Sequence, residues 1–208
     1  MFLSGRLILA LSFQQIRQSI QEHIPDRPEL GHRTRQAAVA TILRSRPNHT
    51  EALFILRAVQ EGDPWSGHMA FPGGHKDDVD ASLRRTAERE TFEEIGLDLS
   101  QHASFLGELN TIRANPRRTI DMAVTPYVYE LHSDEFTLDP NYEVADVLWG
   151  SLDDMVSGSS LTRAAFEIRG RTEEFPGYSI DGQIVWGLTF RMLEQFFLLL
   201  DPHRDLPT

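Results

Sequence analysis

Two periods of apolar spacing lay out the elements of this chain. Phe13, Ile16, Ile20 and Ile24 recur at helical intervals, predicting a helix from about Ser12 to His23. A Pro- and charge-rich connector from Pro25 to Arg35 follows it. Ala37 to Leu43 and Ala52 to Val59 are strand-like runs on either side of Arg46-Pro47-Asn48-His49. The loop Gln60 to Ser66 then leads through Met69 to Phe71 into a Gly73-Gly74 turn. Ser104 to Ile112 and Met122 to Glu130 read as strands flanking a basic loop, Arg113 to Arg118. Glu143 to Trp149 is a further strand, and Ile184 to Leu200 a helix stopped by Asp201-Pro202. Strands mixed with helices, without strict βαβ alternation, predict a mixed sheet lying between helices.

One predicted helix has two distinct faces. Leu83, Ala87, Thr91 and Ile95 form an apolar stripe down one side. Glu90, Glu93 and Glu94, spaced three and four apart, share another. Asp77, Asp78 and Asp80 offer capping carboxylates at the start, and Gly96 can take the left-handed conformation that stops the helix before Leu97. Like charges at this spacing cost a helix a few tenths of a kcal/mol per pair in water. Partly desolvated, the repulsion grows to roughly 4 kcal/mol per pair at about 4 Å. A solvated helix face is the plain alternative. A hard divalent cation with oxygen ligands removes the penalty, and Mg²⁺ held by carboxylates beside substrate phosphates is the common case.

Composition narrows the classes. The chain has 208 residues, 40% hydrophobic and 25% charged, enough for one domain over 1–208 with a sizeable core. A net charge of -11 disfavours nucleic acid and anionic membranes as partners. The absence of cysteine excludes disulfides and thiolate chemistry and fits a cytoplasmic location. Leu7 to Phe13 is a short apolar run that leads directly into a helical pattern, which favours a helix start over a secretory signal. No stretch approaches the length needed to span a bilayer.

Gly74 through Leu97, with Thr86, Ala87, Arg89, Glu90, Glu93, Glu94, Gly96 and Leu97 in place, resembles the Nudix box. Two departures stand out: the acid is Asp80 instead of glutamate, and the span from Gly74 to Arg89 is one residue longer than the common form. With Gly67-x-x-x-Phe71-Pro72-Gly73-Gly74 ahead of it, that spacing is similar to the branch containing coenzyme A pyrophosphohydrolases. The resemblance implies an α/β/α sandwich around a mixed β-sheet, and hydrolysis of a diphosphate bond with Mg²⁺ or Mn²⁺ as cofactor. It implies Glu90 and Glu94 as metal ligands, Glu93 as a further ligand or the base, and Arg89 as the residue that orients them. It also implies that a Gly73 or Gly74 carbonyl completes the metal shell. Glu143 is a candidate distal glutamate, with a surface carboxylate at a strand end as the alternative. Asp80 reads as a helix cap.

Arg57, Arg113, Arg117 and Arg118 are candidates for gripping a substrate phosphate or carboxylate, against ordinary solvated positions. The substrate implied is a small-molecule nucleoside diphosphate derivative, coenzyme A or a related compound, with a homodimer left open. The coenzyme A branch carries Thr, Ser and Arg where this chain has Leu56, Val59 and Asp63. ADP-ribose, a nucleotide sugar, or a nucleotide-binding module without catalysis therefore stand as alternatives.

Overall fold

The structure is a computed structural model that describes residues 11–62, 65–114, 121–168 and 171–207. Helix α1 (Phe13–Glu22) leads into strands β1 (Arg35–Ser45) and β2 (Thr50–Arg57), then the short β3 (Met69–Ala70) and β4 (Gly73–His75). Helices α2 (Leu83–Ile95) and α3 (Leu99–His102) precede β5 (Ala103–Glu108), β6 (Ile112–Arg113) and β7 (Met122–Leu131). The chain continues through β8 (Val144–Ser151), α4 (Leu152–Ser157), β9 (Leu161–Ile168), β10 (Arg171–Ile180) and β11 (Gln183–Trp186) to α5 (Gly187–Leu200).

β1 lies inside an eight-stranded mixed sheet of order β3-β2-β1-β7-β5, with β4 paired to β1, β6 to β7 and β8 to β2. The parallel pair β1–β7 runs in register from Arg35–Met122 to Leu43–Glu130. Strands sealed on both faces lose the apolar–polar alternation. Accordingly, every residue of β7 except Glu130 is buried.

Side chains of β1 alternate between two cores, as the period of two requires. Ala38, Ala40 and Ile42 point to one side, joining Leu53, Ile55, Ala87, Ile95 and Leu97 under α2. Ala37 and Leu43 point to the other, where α1 supplies Ile16 and Ile20 and α5 supplies Leu193, Phe196 and Phe197. Helices thus cover both faces of the mixed sheet, and the expected α/β/α layering holds. The last strands form a second sheet, β11-β10-β9, packed on the α5 side through Tyr178, Ile180 and Val185. There the Tyr178 hydroxyl donates to the Glu194 carboxylate, and Arg204 donates to the Tyr178 oxygen at 3.0 Å, clasping the C-terminal tail to the core.

Two expectations shift, and one pair of strands is new. Ile24, placed on the apolar face of the first helix, is 90% exposed because the helix ends at Glu22. The run Ile184 to Leu200 is two elements: residues 183–186 pair with β10, and the helix begins at Gly187, where φ is +64°. The hairpin β9–β10 was not anticipated at all; its strands register from Ile168–Arg171 to Leu161–Tyr178. Among the described residues no helix is long and apolar enough to cross a membrane.

Candidate active site

Helix α2 is bounded much as its sequence predicts, with one correction at the start. The cap is Ser82, whose side chain accepts from Arg85 N–H, and none of the nearby aspartates. At the end Gly96 takes φ +71° and its N–H donates to Phe92 O. Ala87, Thr91 and Ile95 are buried as expected, and so is Glu94, only 3% exposed.

Freed from capping, Asp80 becomes an anchor. It accepts from Asp77 N–H at 2.9 Å, from Thr86 Oγ1 at 2.9 Å, and from Arg89 through both Nε (3.0 Å) and Nη2 (2.9 Å). The bonds from Arg89, followed by those from Asp77 and Thr86, outweigh burial and hold the Asp80 carboxyl well below the usual carboxylate range. Arg89 then reaches outward to Glu90 Oε1 at 2.9 Å, Glu93 Oε2 at 3.0 Å and the His75 carbonyl at 3.1 Å. One guanidinium therefore fixes two of the three helix glutamates against a buried carboxylate. Its planar set of donors suits that task in a way a lysine would not.

The third glutamate is held by the glycine turn. Gly73 N–H donates to Glu94 Oε2 at 2.8 Å, and Arg57 Nη1 on β2 lies 4.0 Å from Glu94 Oε1. Burial pushes the Glu94 carboxyl up to about 8 despite those two partners, and the charges of Glu90 and Glu143 add to the rise. Burial likewise raises the Glu90 carboxyl, against the opposing pull of Arg89. Glu94 is thus a buried carboxyl whose charged form is disfavoured by burial and by two other carboxylates. Glu143 directly precedes β8, and its charge adds to the rise at Glu94.

Both glycines are required by close approach. A Cβ at Gly73 would fall 2.2 Å from Ala38 O and 2.5 Å from Val39 Cα, and its φ is +149°. A Cβ at Gly74 would first meet the Glu90 carboxylate, 2.5 Å from its Cδ. The two alanine variants should therefore part company. Gly73→Ala must push β1 backbone aside and is expected to lose roughly 1–3 kcal/mol or more of stability. Gly74→Ala displaces a side-chain end and its 2.9 Å pairing with Arg89, so it should lose less Tm than Gly73→Ala while impairing whatever Glu90 does. Thermal melts and activity measured on both proteins check this, and equal Tm losses would contradict it.

Other sequence candidates fall elsewhere. Arg113 Nη2 is bound to Asp121 at 2.9 and 3.1 Å, on a β6 that pairs with β7, and is not joined to the glutamates. Arg117 and Arg118 lie outside the described residues. Asn141 was missed, yet it bonds to both the end of α2 and Glu143. An Asn two residues before a strand-start glutamate is a side-chain turn signal that could have shown it.

For a cation, the donors have the required chemistry: hard carboxylate oxygens whose repulsion a divalent ion would relieve. Among the described residues no three acidic or histidine side chains already stand in ligand arrangement, since Glu90 is turned onto Arg89 and Glu94 onto Gly73. The fit rests on the donor set and on the unfavourable burial of Glu94.

Similarity to known proteins points the same way. The description of the NUDIX domain matches residues 34–174. The chain is 31% identical over 171 residues to the Nudix hydrolase NudL of Pectobacterium atrosepticum, covering 80% of this chain and 83% of that protein. A 59-residue stretch is 51% identical to a Schizosaccharomyces pombe protein, covering 28% of this chain but only 18% of that longer one. The fold is similar to a crystal structure of RenU, a Nudix hydrolase from M. smegmatis, at a TM-score of 0.55 and 15% identity, over 85% of this chain and 91% of that one.

Proposed function

The chain belongs to the NUDIX domain family, and on that premise we propose that it hydrolyses the diphosphate linkage of a nucleoside diphosphate derivative. Mg²⁺ or Mn²⁺ would be held by Glu90 and Glu94, with Glu93, Glu143 and a Gly73 or Gly74 carbonyl available to complete the shell. The observation that carries this reading is Glu94, 3% exposed and raised to about 8 by burial beside Glu90 and Glu143. A fold does not bury one carboxyl beside two others for stability, because relief of that charge would stabilise it. When bound, a divalent cation supplies charge neutralisation on the phosphoryl oxygens and lowers the pKa of the attacking water.

The chain's own residues divide the remaining work. Arg89, fixed by Asp80, holds Glu90 and Glu93 on one side of the site. Glu93, with its side chain 52% exposed, is placed to accept a proton from the attacking water. Arg57 faces Glu94 from β2, where it can also meet a phosphate oxygen as the diphosphate enters. We assign α1 and α5 to the same single domain, since both lie outside the matched stretch and yet supply Ile16, Ile20, Phe196 and Phe197 to its core.

For the substrate class, the positions that carry hydroxyls in the coenzyme A branch are informative. Leu56 packs against the core, and Val59 is 87% exposed. Neither offers a polar contact, and Asp63 lies outside the described residues. These features favour ADP-ribose or a nucleotide sugar over coenzyme A.

A panel of coenzyme A, ADP-ribose and nucleotide sugars, assayed with Mg²⁺ and Mn²⁺ and read by product mass, tests both levels. Hydrolysis of ADP-ribose or a nucleotide sugar, abolished by EDTA, is the expected result. Efficient cleavage of coenzyme A would reverse the substrate assignment, and binding without any product would make the chain a non-catalytic module. Millimolar Mg²⁺ should also raise Tm, since a ligand at about 100 times its Kd stabilises by about 2.7 kcal/mol. A Tm indifferent to both cations would count against the metal site.

A further inference from the structure

The last carbonyls of a helix have no partners within it, and here a loop from the β7–β8 connection supplies them. Asp139 N–H donates to Ile95 O at 2.9 Å and Asn141 N–H to Glu94 O at 2.9 Å. Asn141 Nδ2 adds a bond to Glu93 O at 2.9 Å. That much is a helix cap. Asn141 does one thing more: its Oδ1 accepts the Glu143 N–H at 2.8 Å. On its other side Glu143 is fastened to the end of β2, its carbonyl accepting from Ala58 N–H at 2.7 Å, one residue beyond Arg57.

A single side-chain amide therefore joins the backbone carrying Glu93 and Glu94 to the backbone carrying Glu143. Capping needs only the amide's donor. The acceptor bond falls outside the helix, on the backbone N–H of Glu143. Glu143 thus leaves this turn with its backbone tied both to the end of α2, through Asn141, and to the end of β2.

We propose that Asn141 is a positioning residue, fixing the Glu143 carboxylate against Glu94 and so shaping the cation site. This rests on the hydrolase reading above and on Glu143 being part of that site. Partners that orient metal-binding groups typically matter by 10–100-fold in metal affinity or activity.

The experiment is a double-mutant cycle on the full chain: wild type, Asn141→Ala, Glu143→Gln and the double variant. Mn²⁺ binding is measured by electron paramagnetic resonance, and kcat and KM with whichever panel substrate is turned over. Asn141→Ala is expected to weaken Mn²⁺ binding roughly tenfold and lower kcat by about as much, with KM within about twofold. In the Glu143→Gln background the same change should cost less than about twofold, because the group it positions has already lost its charge. Equal losses in both backgrounds would reduce Asn141 to a cap and overturn the proposal, as would an Asn141→Ala protein indistinguishable from wild type. Glu143→Gln with wild-type Mn²⁺ binding and turnover would instead remove Glu143 from the site, which sinks the premise. Asn141→Ser keeps an oxygen that can bond two residues on, though more weakly. It should fold even if alanine does not, and recover part of the lost Mn²⁺ affinity; no recovery counts against the assignment.

Discussion

Glu94→Gln is expected to lower kcat by roughly a thousandfold, equivalent to about 4 kcal/mol of transition-state stabilisation, while the protein melts within a few degrees of wild type. The two halves of that expectation have separate causes. Glutamine matches glutamate in size, and its carbonyl can still accept the bond from Gly73 N–H, now 2.8 Å from Glu94 Oε2. The charge it removes is one that burial already disfavours, the carboxyl being raised to about 8, so the metal-free fold loses little beyond the 4.0 Å approach of Arg57. In the proposed reaction the same charge would hold the cation, and an amide oxygen is a far weaker donor to a divalent cation than a carboxylate. Steady-state kinetics at saturating Mg²⁺ and circular dichroism melts decide the matter together. Turnover within a few-fold of wild type would remove Glu94 from the machinery, and loss of cooperative unfolding would show that its role is structural.

The candidate site was legible where its residues share one local periodicity. Glu90, Glu93 and Glu94 lie on a single helix, whose apolar stripe, glycine stop and like-charged face can all be read from the helix and the one residue after it. Glu143 was harder, since its approach depends on β8 pairing with β2 from Glu51–Ser151 to Arg57–Val144, a contact across about ninety positions of sequence that no local pattern encodes. Asp80 was misassigned because aspartate before a helix usually caps it. Ser82 stands closer to the first turn and takes that place, and Asp80, 9% exposed, turns to Arg89 instead. Arg113 looked like substrate-binding charge in a basic loop, but Asp121 lies across the strand pair and binds it.

For the fold, the strands buried on both faces were found because an apolar run survives any register. The β9–β10 hairpin was not, since its strands include Arg163, Glu167, Arg171, Glu173 and Glu174 among few apolar positions. Its core contribution comes mainly from Ala164, Tyr178 and Ile180. The boundary at Gly187 was hidden by an apolar segment that changes period without a break, Ile184 to Trp186 serving a strand and Leu188 onward a helix.

Arg89→Ala is the substitution expected to damage both stability and activity. It removes both guanidinium bonds to Asp80, whose side chain is 5% exposed, and leaves a carboxylate there with only Asp77 N–H and Thr86 Oγ1. Breaking a buried pair from one side costs roughly 3–5 kcal/mol. Because the Arg89 side chain is itself 23% exposed, the lower end applies. At roughly 2–4 °C per kcal/mol for a chain of this size, Tm should fall by about 6–12 °C at pH 7. The pH dependence has a definite sign. Asp80 titrates lower in the folded protein than in the unfolded chain, so its contribution is present above the unfolded value near 3.9 and is lost as pH falls below it. The Tm gap between wild type and Arg89→Ala should therefore narrow from pH 7 towards pH 3. Turnover should drop as well, since Glu90 and Glu93 lose the group that sets their positions. Arg89→Lys should restore little of either, a single ammonium being unable to bond Asp80 through two nitrogens while reaching both glutamates and the His75 carbonyl. A gap that stays constant with pH, or a lysine variant as stable and active as wild type, would show that the arginine acts only as a nearby positive charge.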